Sequence, residues 1–214
     1  MKYFRFTSHL FIALVTLSTT QSQFTFGPDI SPQCSSAVQT FLNSSEFNGC
    51  FPYNKLSNQM KPYTNFTDFK SDEREIINIA DSICSLPKCS DSLISSFNST
   101  FQSKCSDEIA KKKPDTNSIA DFIWEYSPLR DSFCFKNSTG GYCLVETIDN
   151  IEGINNLEQT YSNLTEQILC TKCNKAILNT FFNYVVSHPP PTDISFLISF
   201  LKPLIDSKCN SSFL

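Results

Sequence analysis

Glycine is scarce: five residues in a chain of 214. That is too few for a glycine-rich fold or a chain of tight hairpins. Histidine is scarcer, with only His9 and His188. No histidine cluster exists to hold zinc, and in the chain beyond residue 22 a Ser-His-Asp or Cys-His site could use His188 alone. That residue stands beside Pro189-Pro190-Pro191 and reads as an exposed loop residue. A basic surplus is also missing: 17 Lys and Arg stand against 21 Asp and Glu. Nothing in that balance draws nucleic acid or an anionic lipid surface. The one basic run, Lys111-Lys112-Lys113, precedes Pro114 and reads as a solvated helix end. No phosphate loop, dinucleotide fingerprint or nucleophile elbow is present, and no transmembrane segment is expected. These absences point away from catalysis, and no cofactor or metal is expected.

What is present points to export. Lys2 and Arg5 precede the apolar run Leu10-Phe11-Ile12-Ala13-Leu14-Val15, and small residues flank Gln21 at Thr20 and Ser22. Residues 1–22 therefore read as a signal peptide, since the apolar run is too short to span a bilayer. Without Lys2 and Arg5 the remainder holds 15 basic and 21 acidic residues, a net charge of −6. Ten cysteines follow: Cys34, Cys50, Cys84, Cys89, Cys105, Cys134, Cys143, Cys170, Cys173 and Cys209. An even count in an exported chain implies five disulfides, whose connectivity is open among about 945 pairings. Six N-x-Ser/Thr sequons begin at Asn43, Asn65, Asn98, Asn137, Asn163 and Asn210, and those that carry glycans must face solvent.

The periodicity is helical. Residues 23–33 form an irregular lead, in which Pro32 can open a helix. Val38, Phe41 and Leu42 follow Cys34 at helical spacing, and Asn48-Gly49-Cys50 reads as a stop. Residues 51–69 read as a loop with a helical turn at 54–60. A helix starting at Ser71 carries Ile76, Ile77, Ile79, Ala80 and Ile83, and ends at Leu86-Pro87. The next starts at Ser90 or Asp91 and frays near Lys113. Another starts at Asn117 or Ser118 and is bent or restarted by Pro128. Gly140-Gly141 makes a tight turn that a Cys134–Cys143 bridge could close. Residues 144–160 are helical in part. Residues 163–187 give the strongest helical pattern, and a last helix runs from Asp193 to about Cys209 with a kink at Pro203. No strand-period run exceeds about five residues. The expected fold is all-α: a disulfide-stapled helical bundle with irregular loops, spanning residues 34–209 and followed by a polar tail at 210–214. The stretch from Cys84 to Cys143, with five cysteines, is its expected organising unit.

Two constellations raise chemistry. Cys170-Thr171-Lys172-Cys173 is a C-x-x-C, but no strand precedes it. Positions three apart share one helix face, so both sulfurs are expected to bridge to a neighbouring helix rather than act as a redox pair or metal site. Asp121 and Glu125 flank Trp124. Paired carboxylates beside an aromatic suggest glycoside hydrolysis, yet acids four apart on an exposed helix face are commonplace.

Residues 169–209 combine C-x-x-C, an amphipathic helix, a proline break, a second apolar helix and Cys209. This arrangement resembles half of a saposin-like module without its paired-cysteine ending, and implies an alternative role as a carrier of lipid or another hydrophobic ligand. A broader likeness lies in Cys89-Ser90-Asp91-Ser92-Leu93, Phe101 and Cys105, in Tyr126-Ser127-Pro128-Leu129-Arg130-Asp131-Ser132-Phe133-Cys134, and in Gly140-Gly141-Tyr142-Cys143. From about Cys34 to Cys173 the chain resembles fungal secreted cysteine-rich proteins grouped as an uncharacterised domain family. The resemblance implies no catalytic residue. Many members add a Ser-rich, anchor-bearing C-terminus, and its lack here implies release. The expected function is that of a secreted, N-glycosylated, non-catalytic protein binding an unknown protein or cell-wall partner at the cell surface.

Overall fold

The computed structural model describes residues 27, 30–60, 72–151, 165–190, 202–203, 205–209 and 213. The expected signal peptide and the 210–214 tail, apart from Phe213, lie outside them. Ten helices are named: α1 Pro32–Leu42, α2 Ser45–Asn48, α3 Tyr53–Met60, α4 Glu73–Cys84, α5 Asp91–Lys104, α6 Ser106–Ala110, α7 Pro114–Cys134, α8 Cys143–Ile151, α9 Glu166–Leu169 and α10 Lys172–Ser187. Residues 202–203 and 205–208 are also helical. No strand occurs among the described residues; Lys136 and Tyr142 form one isolated antiparallel bridge. The fold is all-α and stabilised by disulfides, as the periodicity predicts. It divides into two compact units, with the boundary inside α7 between Tyr126 and Ser127.

Side-chain caps set most helix starts in the N-terminal unit. Ser31 Oγ accepts from Cys34 N–H at 3.3 Å, with Pro32 next in the first turn. Ser44, Asp72 and Ser90 do the same for α2, α4 and α5. Each such cap satisfies a backbone donor that the helix leaves unpaired. The expected stop at residues 48–50 is therefore the end of a second, short helix rather than of the first. The cap of α4 is Asp72, not Ser71, and α4 ends at Cys84 rather than Leu86-Pro87. The long helix expected after Ser90 breaks at Cys105, which leaves helical angles (φ −115°, ψ 18°). Pro114 starts α7 earlier than Asn117, because proline at the first helical position forfeits no bond, and α7 continues through Pro128.

The phenylalanines fill this unit's core. Phe47 is fully buried and lies 4.4 Å from the Phe41 ring, 5.4 Å from Phe51 and 6.4 Å from both Phe122 and Tyr126, centroid to centroid. Phe41 stacks on Phe97 at 3.7 Å. Such ring pairs add to the burial of apolar area. Two disulfides cross-link the same unit, Cys34–Cys105 and Cys50–Cys89. Beside the first, Glu108 receives hydrogen bonds from the hydroxyl and N–H of Ser31, which hold its carboxyl below the usual carboxylate range. The negative charge also sits where the N-terminus of α1 favours it.

The second disulfide is locked by Tyr126. Its hydroxyl accepts from the buried Cys89 N–H at 2.9 Å. Tyr126→Phe keeps the ring and strands that donor. The expected cost is about 1–3 kcal/mol in urea unfolding at constant m; an unchanged midpoint would show that the bond contributes nothing.

In the C-terminal unit, α8 packs on α10. Thr147 Oγ1 donates to Asn174 Oδ1 at 2.9 Å across that contact. Ile205, Cys209 and Phe213 form a buried cluster on which Leu169, Cys170, Leu178 and Phe182 pack. The single long helix expected over 163–187 is interrupted: α9 ends at Cys170, and Thr171 caps α10 by accepting from Asn174 N–H at 3.1 Å. His188 is exposed at the end of α10, with its ring stacked 4.0 Å from Tyr184.

Candidate functional site

All ten cysteines are oxidised and none is free. In the C-terminal unit Cys143 pairs with Cys173 and Cys170 with Cys209; Cys84 and Cys134 are also disulfide-bonded. The two cysteines of the C-x-x-C thus go to different partners. The break between α9 and α10 turns them apart, so they constitute neither a dithiol pair nor two sulfurs on one helix face. The expected Cys134–Cys143 closure of the glycine turn is likewise overturned, since Cys143 is bonded to Cys173. Nor is the stretch from Cys84 to Cys143 a self-contained unit: Cys89 and Cys105 pair back to Cys50 and Cys34, and Cys143 pairs forward.

Asn137 closes the turn in place of a disulfide. Its Oδ1 accepts from Thr139 N–H at 3.1 Å, Thr139 Oγ1 at 2.8 Å and Gly141 N–H at 2.9 Å. Its own N–H donates to Gly141 O at 2.8 Å, and Cys143 N–H donates to Phe135 O at 2.8 Å. Gly140 takes φ +87°, a region that glycine enters without a Cβ clash. Lys136 Nζ lies 2.9 Å from the centre of the Tyr142 ring. Asn137 was legible only as a sequon, yet its side chain organises the loop.

Under this loop lies a cavity of about 440 Å³, lined by Phe135, Lys136, Asn137, Glu146, Lys172 and the Cys143–Cys173 disulfide, among others. Glu146 Oε2 accepts from Asn137 Nδ2 at 3.4 Å and lies 3.4 Å from Cys173 Sγ. The oxidised sulfur has no proton to donate, so the second approach is a charge held against a disulfide. Cys143 opens α8, and Cys173 is the second residue of α10.

The other sequons divide by position. Asn43 and Asn98 are exposed and Asn137 is half-buried. Asn65, Asn163 and Asn210 lie outside the described residues.

The carboxylate pair in α7 does not lie on an exposed face. Glu125 is 2% exposed, while Asp121 is half-buried. Burial, assisted by the Asp121 charge, pushes the Glu125 carboxyl up to about 8, so it is chiefly protonated at neutral pH. A general acid must reach a substrate oxygen to act, and this carboxyl has almost no solvent contact. Among the described residues, no group of three or more His, Cys, Asp and Glu is placed to hold a metal ion. No helix among them is long and apolar enough to cross a membrane.

Fold and site together define a cysteine-rich, disulfide-stabilised all-α protein. The chain belongs to the family defined by a domain of unknown function, DUF7729, whose model matches residues 18–214. No curated protein and no solved structure matches it.

Proposed function

We infer that this is an exported, N-glycosylated, non-catalytic protein that binds a protein or cell-wall component at the cell surface. The observation that carries the reading is the complete oxidation of ten cysteines, a state that belongs to oxidising compartments. The exposed Asn43 and Asn98 are compatible with attached glycans, and a fungal source is the one the resemblance implies. The test is a pull-down with the glycoprotein secreted from a eukaryotic host, against wall polysaccharide and surface-protein fractions. Saturable retention on one fraction, lost after reduction and alkylation, is expected. No retention on any fraction, or retention that survives unfolding, contradicts it.

A second reading, carriage of a hydrophobic ligand, is favoured by one observation. Helix α10 leaves Val186 86% exposed and Ile177, Leu178, Phe182 and Val185 only half-buried. Against it, five of the phenylalanines (Phe47, Phe51, Phe97, Phe101 and Phe122) are packed as core residues and line no ligand site. Solvent extraction of the purified protein decides: co-purifying lipid at near-stoichiometric yield supports carriage, and its absence removes it.

A further inference from the structure

We propose that Asn137 carries a glycan whose first sugar, an N-acetylhexosamine, is seated in the cavity under its own loop. The proposal rests on the reading of an exported, glycosylated chain. Three observations meet at this residue. Asn137-Ser138-Thr139 is an acceptor sequon, and the two ends of its carboxamide do different work. Oδ1 accepts from Thr139 N–H, Thr139 Oγ1 and Gly141 N–H and so builds the loop. Nδ2 donates to Glu146 Oε2 at 3.4 Å. That bond needs only one of the two amide protons. A sugar can replace the other proton while the loop keeps its bonds to Oδ1.

The second observation is space. Asn137 lines the cavity of about 440 Å³ together with Glu146, to which its Nδ2 points, and that volume is typical of small-molecule sites. Gly141 crowds the carboxamide elsewhere: a Cβ added there would stand 3.4 Å from both Nδ2 and Oδ1. A substituent on Nδ2 therefore has room in the cavity and little against Gly141. The third is the lining. The half-buried Phe135, two residues before Asn137, offers a ring face to the C–H groups of a sugar. Glu146 can accept from a hydroxyl or from the acetamido N–H, and Lys172 can donate to a hydroxyl or to the acetyl carbonyl. The exposed Lys136 and Ser138 also line the cavity, so later sugars leave past them into solvent. Asn43 and Asn98 are exposed, and a sugar there meets water. In the attachment step Nδ2 bonds to the anomeric carbon of a lipid-diphosphate-linked oligosaccharide. The bond from that carbon to the diphosphate oxygen breaks, and the lipid diphosphate leaves with the amide proton. Attachment comes before the loop is fixed, because the Cys143–Cys173 bond forms only after Cys173 has been synthesised. The fold then closes around the sugar.

The test uses the full-length protein expressed through the secretory pathway of a yeast host. Glycans are released by a glycan amidase in heavy-oxygen water, and peptide mapping then marks each asparagine that carried one. After denaturation Asn137 is expected among the marked residues. On the native protein, release at Asn137 is expected about tenfold slower than at Asn43 or Asn98, because the enzyme must wait for the loop to open locally. Should neither Asn43 nor Asn98 be marked, the reduced and denatured chain supplies the reference rate. Phe135→Ala removes the ring beneath the sugar and is expected to bring release at Asn137 up to the reference rate. An unmodified Asn137 beside a modified Asn43 or Asn98 overturns this proposal and leaves the reading of an exported glycoprotein standing. No marked asparagine at all overturns both. Native release at Asn137 as fast as the reference overturns the seat, as does slow release that Phe135→Ala leaves unchanged. If the variant does not fold, the wild-type comparison decides alone.

Discussion

Replacing Glu125 with glutamine is expected to flatten the fall in stability that the wild-type protein shows between about pH 4.5 and pH 8. The Glu125 carboxyl is raised from 4.5 to about 8 by burial and by the nearby Asp121 charge. A raised acid pKa means that the unfolded chain releases its proton first. Below pH 4.5 both states hold the proton and the group has no net effect. As pH rises, the unfolded state ionises and gains solvation while the folded state stays neutral, so folding loses free energy. The slope is about 1.4 kcal/mol per pH unit, reaching up to about 5 kcal/mol near pH 8 and constant beyond. Glu125→Gln removes that slope. Urea unfolding of both proteins across pH 4–9 reads it out: near-equal pH-dependent terms at pH 4 and a relative gain of several kcal/mol for the variant at pH 8.5. Parallel profiles would mean that Glu125 is solvated in the folded state. Glu108 contributes the opposite sign, since its lowered pKa stabilises the fold above the usual carboxylate range and is lost as pH falls. It is common to both proteins and cancels in the difference.

Removal of the Cys34–Cys105 bridge as a double serine variant is expected to cost about 4 kcal/mol, the chain-entropy value for a loop of this length. The bond closes 71 residues, more than the 39 of Cys50–Cys89 or the 30 of Cys143–Cys173. Both sulfurs lie in residues with no exposure, beside the Ser31–Glu108 hydrogen bonds. Against a typical total of about 5–15 kcal/mol, that loss leaves the fold marginal. Thermal melts followed by circular dichroism should show a large drop in Tm. A drop no larger than for an exposed Ser→Ala control would show that the packed phenylalanine core suffices without the bridge.

These two effects differ in how far the sequence announced them. The helix starts at Pro32 and after the cap Ser90 were legible because helix starts are local chemistry. Glu125 was legible in principle: it lies three residues after Phe122 and four before Leu129, so the helical period puts it on the apolar face. Reading Asp121 and Glu125 as a pair on an exposed face obscured that. The break at Cys105 was hidden because Ile109 continues the apolar spacing of Phe101 and Cys105 across it. The break at residues 170–171 had a signal in Thr171, a strong N-cap residue lying inside an apolar pattern. Disulfide connectivity had none. Cys170 and Cys173 read as two sulfurs on one helix face bridging to a neighbouring helix, and only the break between α9 and α10 sends one to Cys209 and the other to Cys143. The cavity beside Glu146 joins residues 27 apart, a distance that no local pattern spans.

The account stands on sulfur that is fully and specifically paired. Non-reducing peptide mass mapping of the native protein, with free thiols trapped by alkylation before digestion, tests this most directly. It should return Cys34–Cys105, Cys50–Cys89, Cys143–Cys173 and Cys170–Cys209 as linked peptides, and no alkylated cysteine. Recovery of alkylated Cys170 or Cys173, or of those two cysteines linked to each other, would contradict it.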